Sequence, residues 1–272
     1  MANTVIDLIK AWRFPRQSAP LAVIGLMLLI GIIYPWLTPY EVSDFSAEAL
    51  MPPGRAHLLG TNNLGQDIYT LVLAGFRVSA VIALISAALS TLTGILFAGI
   101  ATFYRGLPEK FTARLTDLLV IIPEIVFILV FATFAGPSLV GIVVAIAMFS
   151  WARVTRILKA RTDIAINSDR VKYTVLLKGG LFEVVRKMWR DIYPAIATMF
   201  VLQCAKAVTY EADLSLLGLS SPTVMTWGRL IRQAIDYGMA NPGGFIPWWL
   251  LPPVCCLVLL VATLSFLAFE EE

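Results

Sequence analysis

The sequence is poor in histidine, in charged residues and in recognisable catalytic motifs. It has one histidine in 272 residues, His57, and 14% charged residues, whereas about 25% is usual in soluble globular domains. It contains no GxxxxGK[ST] loop, whose backbone amides and lysine would hold nucleotide phosphates, and neither HExxH nor GxSxG. We therefore expect a non-catalytic chain that binds no cofactor itself, with His57 as an ordinary loop residue.

Cysteine is also scarce, and the net charge is small. The three cysteines, Cys204, Cys255 and Cys256, lie in apolar stretches without a CxxC pair or a histidine cluster, which argues against a disulfide or a zinc site. The net charge is +3, and most basic residues flank apolar runs, where membrane topology explains them. We expect no nucleic-acid partner.

Long apolar runs dominate what is present. Hydrophobic residues make up 58% of the chain, and a transmembrane helix needs about 20 predominantly apolar residues. Six segments qualify, which predicts an all-α, polytopic membrane protein with six transmembrane helices. They are residues 19–37, 78–104, 115–135, from 139 into the basic segment described next, 192–218 and 245–269. Small residues in the second segment, Gly94 and Ala98, predict close helix packing.

One long segment, residues 153–191, holds ten of the 21 Lys and Arg residues. Basic residues near the ends of transmembrane helices favour the cytoplasmic side. With the N-terminus inside, sixteen basic residues are cytoplasmic, four lie in outer loops, and Lys206 falls within a span. This count predicts a multi-pass protein with both termini in the cytoplasm.

Within this segment, residues 171–188 carry apolar side chains at roughly helical spacing between charges. The pattern predicts one short amphipathic helix. It could dock on a protein partner or lie on an anionic lipid surface, and the pattern alone leaves both open.

Besides Asp117 near a helix end, four ionisable residues fall inside predicted spans, where a charge is costly. Two explanations remain open for them: an ion pair with a partner subunit, or a role in a translocation path. These residues are Glu124, Lys206, Glu211 and Asp213.

Five stretches, in order and at the right spacing, resemble the permease subunits of binding-protein-dependent ABC importers, in the dipeptide, oligopeptide and nickel group. They are the stretch from His57 to Asp67 (HLLGTNNLGQD), Gly75 to Ser79 (GFRVS), Asp117 with Pro123, Glu211 to Leu219 (EADLSLLGL), and Trp227-Gly228 after Pro222. The resemblance covers about residues 57–269.

The resemblance implies a type I ABC importer permease fold in residues 57–272, with a cytoplasmic coupling loop at 153–191. Residues 1–56 would hold a cytoplasmic segment, the first helix and an outer loop. It further implies a bacterial inner-membrane location and half of a pathway for peptides, with nickel or a metal–chelator complex as the alternative. The implied partners are a second permease subunit in a heterodimer, two ATP-binding subunits that hold ATP and Mg, and an extracytoplasmic substrate-binding protein.

The coupling motif departs from the family pattern. Tyr173 and Pro194 are in register, but Val175-Leu176-Leu177 replaces Glu-Ala-Ala. The resemblance implies that the residues coupling to the ATPase are Tyr173, Lys178, Gly179, Gly180, Phe182, Val185 and Arg186. An ATP-independent channel or secondary transporter is the competing class, but it predicts repeated spans and gives no reason for the basic loop.

Overall fold

The computed structural model describes residues 19–177, 180–241 and 246–269, which are mainly helical apart from a loop at 38–67. Nine helices follow one another within these ranges. They are α1 (Ala19–Leu37), α2 (Ile68–Phe103), α3 (Leu107–Ile121), α4 (Glu124–Ala135), α5 (Leu139–Ile166), α6 (Asp169–Leu176), α7 (Leu181–Leu216), α8 (Trp227–Ala240) and α9 (Pro247–Phe269).

Four of the described helices, α2, α5, α7 and α9, are long and apolar enough to cross a membrane, and α3 with α4 makes a fifth if the pair is one span. Helix α1 adds a predominantly apolar segment of 19 residues. The all-helical prediction is confirmed, whereas the count of six spans stays a prediction. Hereafter the basic end is the end of the bundle with Ile166, α6 and Leu181, and the loop end is the one with Ile68, Leu216 and α8.

The predicted third span, residues 115–135, is not one straight helix. Helix α3 ends at Ile121, α4 begins at Glu124, and the two are bent by 84°. The cause is Pro123, because a proline disfavours helical backbone at the residue before it. Ile122 accordingly takes an extended conformation with ψ of 134°.

Two other predicted boundaries were wrong, because helices continue beyond the apolar runs. Helix α2 begins at Ile68 rather than at 78, where the Asp67 carboxylate caps it by accepting from the Thr70 amide at 2.8 Å. Helix α7 begins at Leu181 rather than at 192, and α5 runs to Ile166. The predicted loop at 153–191 therefore consists largely of the charged ends of two long helices.

Helices α2 and α5 approach closely at a glycine. A Cβ atom added at Gly94 would lie 2.5 Å from Val154 Cγ1 on α5, closer than real Cβ contacts allow. Ala98, one turn later, is 2% exposed. The prediction of close packing at these two small residues is confirmed.

Motif residues far apart in the sequence meet at the loop end. The Trp227 indole Nε1 donates to the Val72 carbonyl at 2.8 Å, which ties α8 to α2. A Cβ at Gly75 would lie 3.0 Å from Trp227 Cδ1, and one at Gly228 would lie 2.7 Å from Ala212 Cα on α7. These residues therefore pack α8 against α2 and α7.

His57 is not an ordinary loop residue. It is 8% exposed, its Nδ1 lies 3.0 Å from Asp67 Oδ1, and its ring stacks on Tyr40 with centroids 4.7 Å apart. Because Asp67 also caps α2, this contact fixes the loop at 38–67 to the start of that helix.

Candidate functional site

An apolar surface protrudes at the basic end, on α6 and the start of α7. Its members are strongly exposed: Tyr173 is 63%, Leu176 79%, Leu177 67% and Phe182 77% exposed. We call these four residues the basic-end surface. Exposed basic side chains lie on the same two helices, namely Arg170, Lys172, Arg186, Lys187 and Arg190.

The opposite faces of α6 and α7 hold this surface in place. Val171 is fully buried, Met188 is 1% exposed, and both pack with Val184 and with Ala165 of α5. The Arg170 guanidinium also pairs with the Asp191 carboxylate at 2.8 Å. Apolar packing and one ion pair therefore fix α6 against α7.

The single helix predicted over residues 171–188 was wrong. Helix α6 ends at Leu176 and α7 begins at Leu181, since the intervening residues include a pair of glycines, which are poor helix formers. Because the helix is interrupted here, the apolar residues are divided between two helices and do not form one continuous face.

Only some of the predicted coupling residues belong to the basic-end surface. Tyr173 and Phe182 belong to the basic-end surface, and Arg186 is exposed beside it. Val185 instead lines an apolar groove with residues of α2 and α5, including Phe103 and Leu158. Lys178 and Gly179 lie outside the described residues.

Gly180 has an ordinary extended backbone, with φ of −66°. A Cβ atom there would meet nothing within 4 Å. Nothing in the described part of the chain therefore requires glycine at this position.

A second polar site lies inside the bundle, where α4, α5 and α7 meet. Glu124, at the start of α4, has a side chain only 4% exposed. Its carboxylate lies 3.3 Å from Arg153 Nε and 3.4 Å from Lys206 Nζ, and it accepts from the Tyr210 hydroxyl at 2.9 Å. We call these four residues the polar cluster.

The polar cluster joins two predicted residues, Glu124 and Lys206, to two that were not predicted. Arg153 was assigned to a loop because it opens the basic segment, but it lies near the middle of α5. Tyr210 follows Lys206 by four residues, so the helical i, i+4 spacing places both on one face of α7. That spacing was the signal available in the sequence.

Glu211 and Asp213 lie on different faces of α7, because two residues rotate a helix by about 200°. Glu211 is 1% exposed and lies among hydroxyl groups: Ser215 Oγ donates to it at 2.6 Å and Ser79 Oγ at 3.4 Å. In the described part of the chain it has no ion-pair partner. The structure thus places Glu211 inside the α2–α7 contact, and its role in a translocation path or a subunit contact stays a prediction.

Asp213 is half-buried. Over residues 19–177, 180–241 and 246–269 its carboxylate forms no ion pair or side-chain hydrogen bond. It lies on the same face of α7 as Lys206 and Tyr210, seven and three residues earlier.

Comparison of the sequence with known proteins identifies relatives among membrane transport proteins. Residues 90–269 match the family described as binding-protein-dependent transport system inner membrane component. The chain is 29% identical to a presumptive peptide permease of Brucella suis biovar 1 (strain 1330), over 95% of this chain and 86% of that protein. It is 26% identical to the dipeptide transport system permease protein DppC of Bacillus subtilis (strain 168), over 89% of this chain and 76% of that protein.

Proposed function

Because this chain belongs to the family of binding-protein-dependent transport system inner membrane components, we propose that it forms half of the pathway of an ATP-driven peptide importer. The relatives described above are named for peptides and dipeptides, which favours peptide over nickel as the cargo. The chain is the permease and has no catalytic role in this scheme. ATP and Mg are bound by the partner subunits.

The proposed assembly has two permease subunits, two ATP-binding subunits and an extracytoplasmic binding protein. Six spans with both termini in the cytoplasm place sixteen basic residues on the inner side and four on the outer side, as expected when basic residues favour the cytoplasm. In this orientation the basic end is cytoplasmic, and the loop end meets the binding protein. The fold is then the type I importer arrangement.

The basic-end surface is the observation that carries the coupling role. Helix α6 has eight residues, too few to span a bilayer, yet Leu176 and Tyr173 project outward at more than half exposure. Apolar side chains of this size favour burial against a partner. We propose that an ATP-binding subunit covers them and that the basic rim orients the contact.

Substitution at Phe182 tests this role. Burying a phenylalanine contributes about 1.5 to 3 kcal/mol, so Phe182→Asp should weaken docking about tenfold or more. Phe182→Leu keeps an apolar side chain and serves as the matched control. The readouts on purified complexes are retention of the ATP-binding subunits, substrate-stimulated ATP hydrolysis and peptide uptake, which should fall together.

Gly180→Val adds a second test. Since a side chain at Gly180 meets none of the described residues, the variant should insert normally, and any loss of coupling would report a partner that approaches the backbone. If Phe182→Asp complexes keep both ATP-binding subunits and full coupled hydrolysis, α6 lies on the lipid surface and coupling occurs elsewhere.

A further inference from the structure

The polar cluster holds two cations and one carboxylate. Arg153 and Lys206 both lie against Glu124, while Tyr210 contributes a neutral hydroxyl. With both cations protonated, the cluster has a net charge of +1. It is therefore suited to a further anion.

Arg153 has the geometry to receive that anion. It approaches Glu124 through Nε at 3.3 Å, and its side chain is 51% exposed. Its terminal nitrogens form no hydrogen bond within the described ranges of the chain. Two adjacent guanidinium N–H groups match the two oxygens of a carboxylate, so a bidentate site is open on this side of the cluster.

This face of the bundle is unsuited to contact with lipid. Arg153 is fourteen residues after Leu139 and thirteen before Ile166, so it lies about 20 Å from either end of α5. Arg153 is the first charged residue of α5 and opens its charged half, so with Glu124 and Lys206 it lies at the inner edge of the apolar bundle, where a half-exposed charge faces water or polar groups rather than acyl chains.

The same face of α7 presents the opposite charge closer to the loop end. Lys206, Tyr210 and Asp213 follow one another at i, i+4 and i+7, and Asp213 is nearest to Leu216. Seven residues correspond to about 10 Å along the helix axis, similar to the length of an extended tripeptide at about 3.3 to 3.6 Å per residue. The face therefore presents a cationic site and an anionic site at the spacing of a short peptide's termini.

We propose that Arg153 and Lys206 form a transit subsite for the terminal carboxylate of peptide cargo, while Asp213 receives its terminal ammonium. The proposal rests on the peptide-importer function proposed above. Glu124 is the internal counter-ion that holds both cations between transport events, and the cargo carboxylate bonds to the open guanidinium nitrogens of Arg153 beside Lys206. Because Glu124 competes with the cargo, the subsite binds weakly, as a pathway requires.

A contact with the second permease subunit is the competing explanation for the same exposed arginine. A static ion pair would require an acidic residue of the second permease subunit next to Arg153. It would not explain why Asp213 lies on the same face. The presence of both charges, at the spacing of peptide termini, favours cargo.

Reconstituted complexes with saturating binding protein test the proposal. Uptake is measured for trialanine, its C-terminal amide and its N-acetyl form. The free-acid to amide ratio is compared between wild type and Arg153→Gln. Because both complexes use the same binding protein, its own preference cancels in this comparison.

We expect Arg153→Gln to lower the free-acid to amide ratio about tenfold, as for a lost charge-assisted hydrogen bond, and Arg153→Lys to lower it less. Asp213→Asn should lower the ratio of the free-amine to the N-acetyl form instead. Arg156→Gln is the matched control, because Arg156 lies one turn further along α5, is 52% exposed and pairs with Asp117; its ratios should stay unchanged.

Two outcomes overturn the subsite. If Arg153→Gln slows the acid and the amide equally in an intact complex, Arg153 does not recognise the carboxylate. If it releases the second permease subunit, the face is an inter-subunit contact. Failure of the wild-type complex to take up any of the peptides would instead overturn the proposed cargo, so the two failures are distinguishable.

Discussion

Lys206 Nζ lies 3.4 Å from both carboxylate oxygens of Glu124, although 82 residues separate them in the sequence. Glu124 is the first residue after the bend between α3 and α4, whereas Lys206 lies in the long helix α7. The bend that Pro123 imposes therefore brings a carboxylate from the broken span into contact with the cation of another.

The first prediction concerns the asymmetry of this contact. Glu124→Gln leaves Arg153 and Lys206 as neighbouring cations without a carboxylate, whereas Lys206→Met leaves Glu124 paired with Arg153. We expect Glu124→Gln to lower stability by about 1 to 3 kcal/mol and Lys206→Met to lower it less. Thermal unfolding of the purified complex measures both, and the double variant should recover part of the loss. Equal losses in the two single variants would contradict this account.

The second prediction separates two acids of α7. Glu211 is enclosed by hydroxyl groups, so Glu211→Leu should reduce folding yield and thermal stability, because it removes the buried acceptor of the Ser215 and Ser79 hydroxyls. Asp213→Asn changes a half-buried group without a partner in the described chain, so it should leave stability unchanged and reduce uptake. Melting temperature and transport rate are measured on both variants. If only Asp213→Asn lost stability, Asp213 would be the structural residue and Glu211 would not.

The third prediction tests the close approach of α2 and α5. Gly94→Ala places a methyl group 2.5 Å from Val154 Cγ1 and should cost about 1 to 3 kcal/mol, as overpacking usually does. Gly99→Ala, five residues later, meets none of the described residues within 4 Å and should not lower stability, because alanine favours a helix over glycine, which makes it the matched control. Adding Val154→Ala should restore part of the stability lost in Gly94→Ala. If both alanine variants melt alike, the helices are further apart than described.

The fourth prediction tests the proposed topology with single cysteines in a cysteine-free background. Ser46 and Thr223 are exposed near the loop end, and Asn167 is exposed at the basic end. Cysteines at Ser46 and Thr223 should react with membrane-impermeant thiol reagents in intact cells. One at Asn167 should react only after permeabilisation. Labelling of Asn167→Cys in intact cells would overturn the orientation.

The sequence by itself determined the helical class and the family resemblance. Apolar runs of about 20 residues have few stable alternatives to a membrane helix, because backbone polar groups inside a bilayer must pair internally. Glycine at position 94 likewise indicated close packing without any knowledge of its neighbour. Motifs such as Glu211 to Leu219 and Trp227-Gly228 were readable because their order and spacing lie along the chain.

Only the tertiary structure decided which charges meet and which helices continue. Hydropathy ends a span where charge begins, but charged residues remain helical when one face packs, as at Met188 in α7 and Leu158 in α5. The bend at Pro123 directs Glu124 towards Arg153 and Lys206, and no local sequence pattern predicts these contacts. Glu211 and Asp213 look alike in sequence, and they differ because a rotation of about 200° turns one into the bundle and the other towards its polar face.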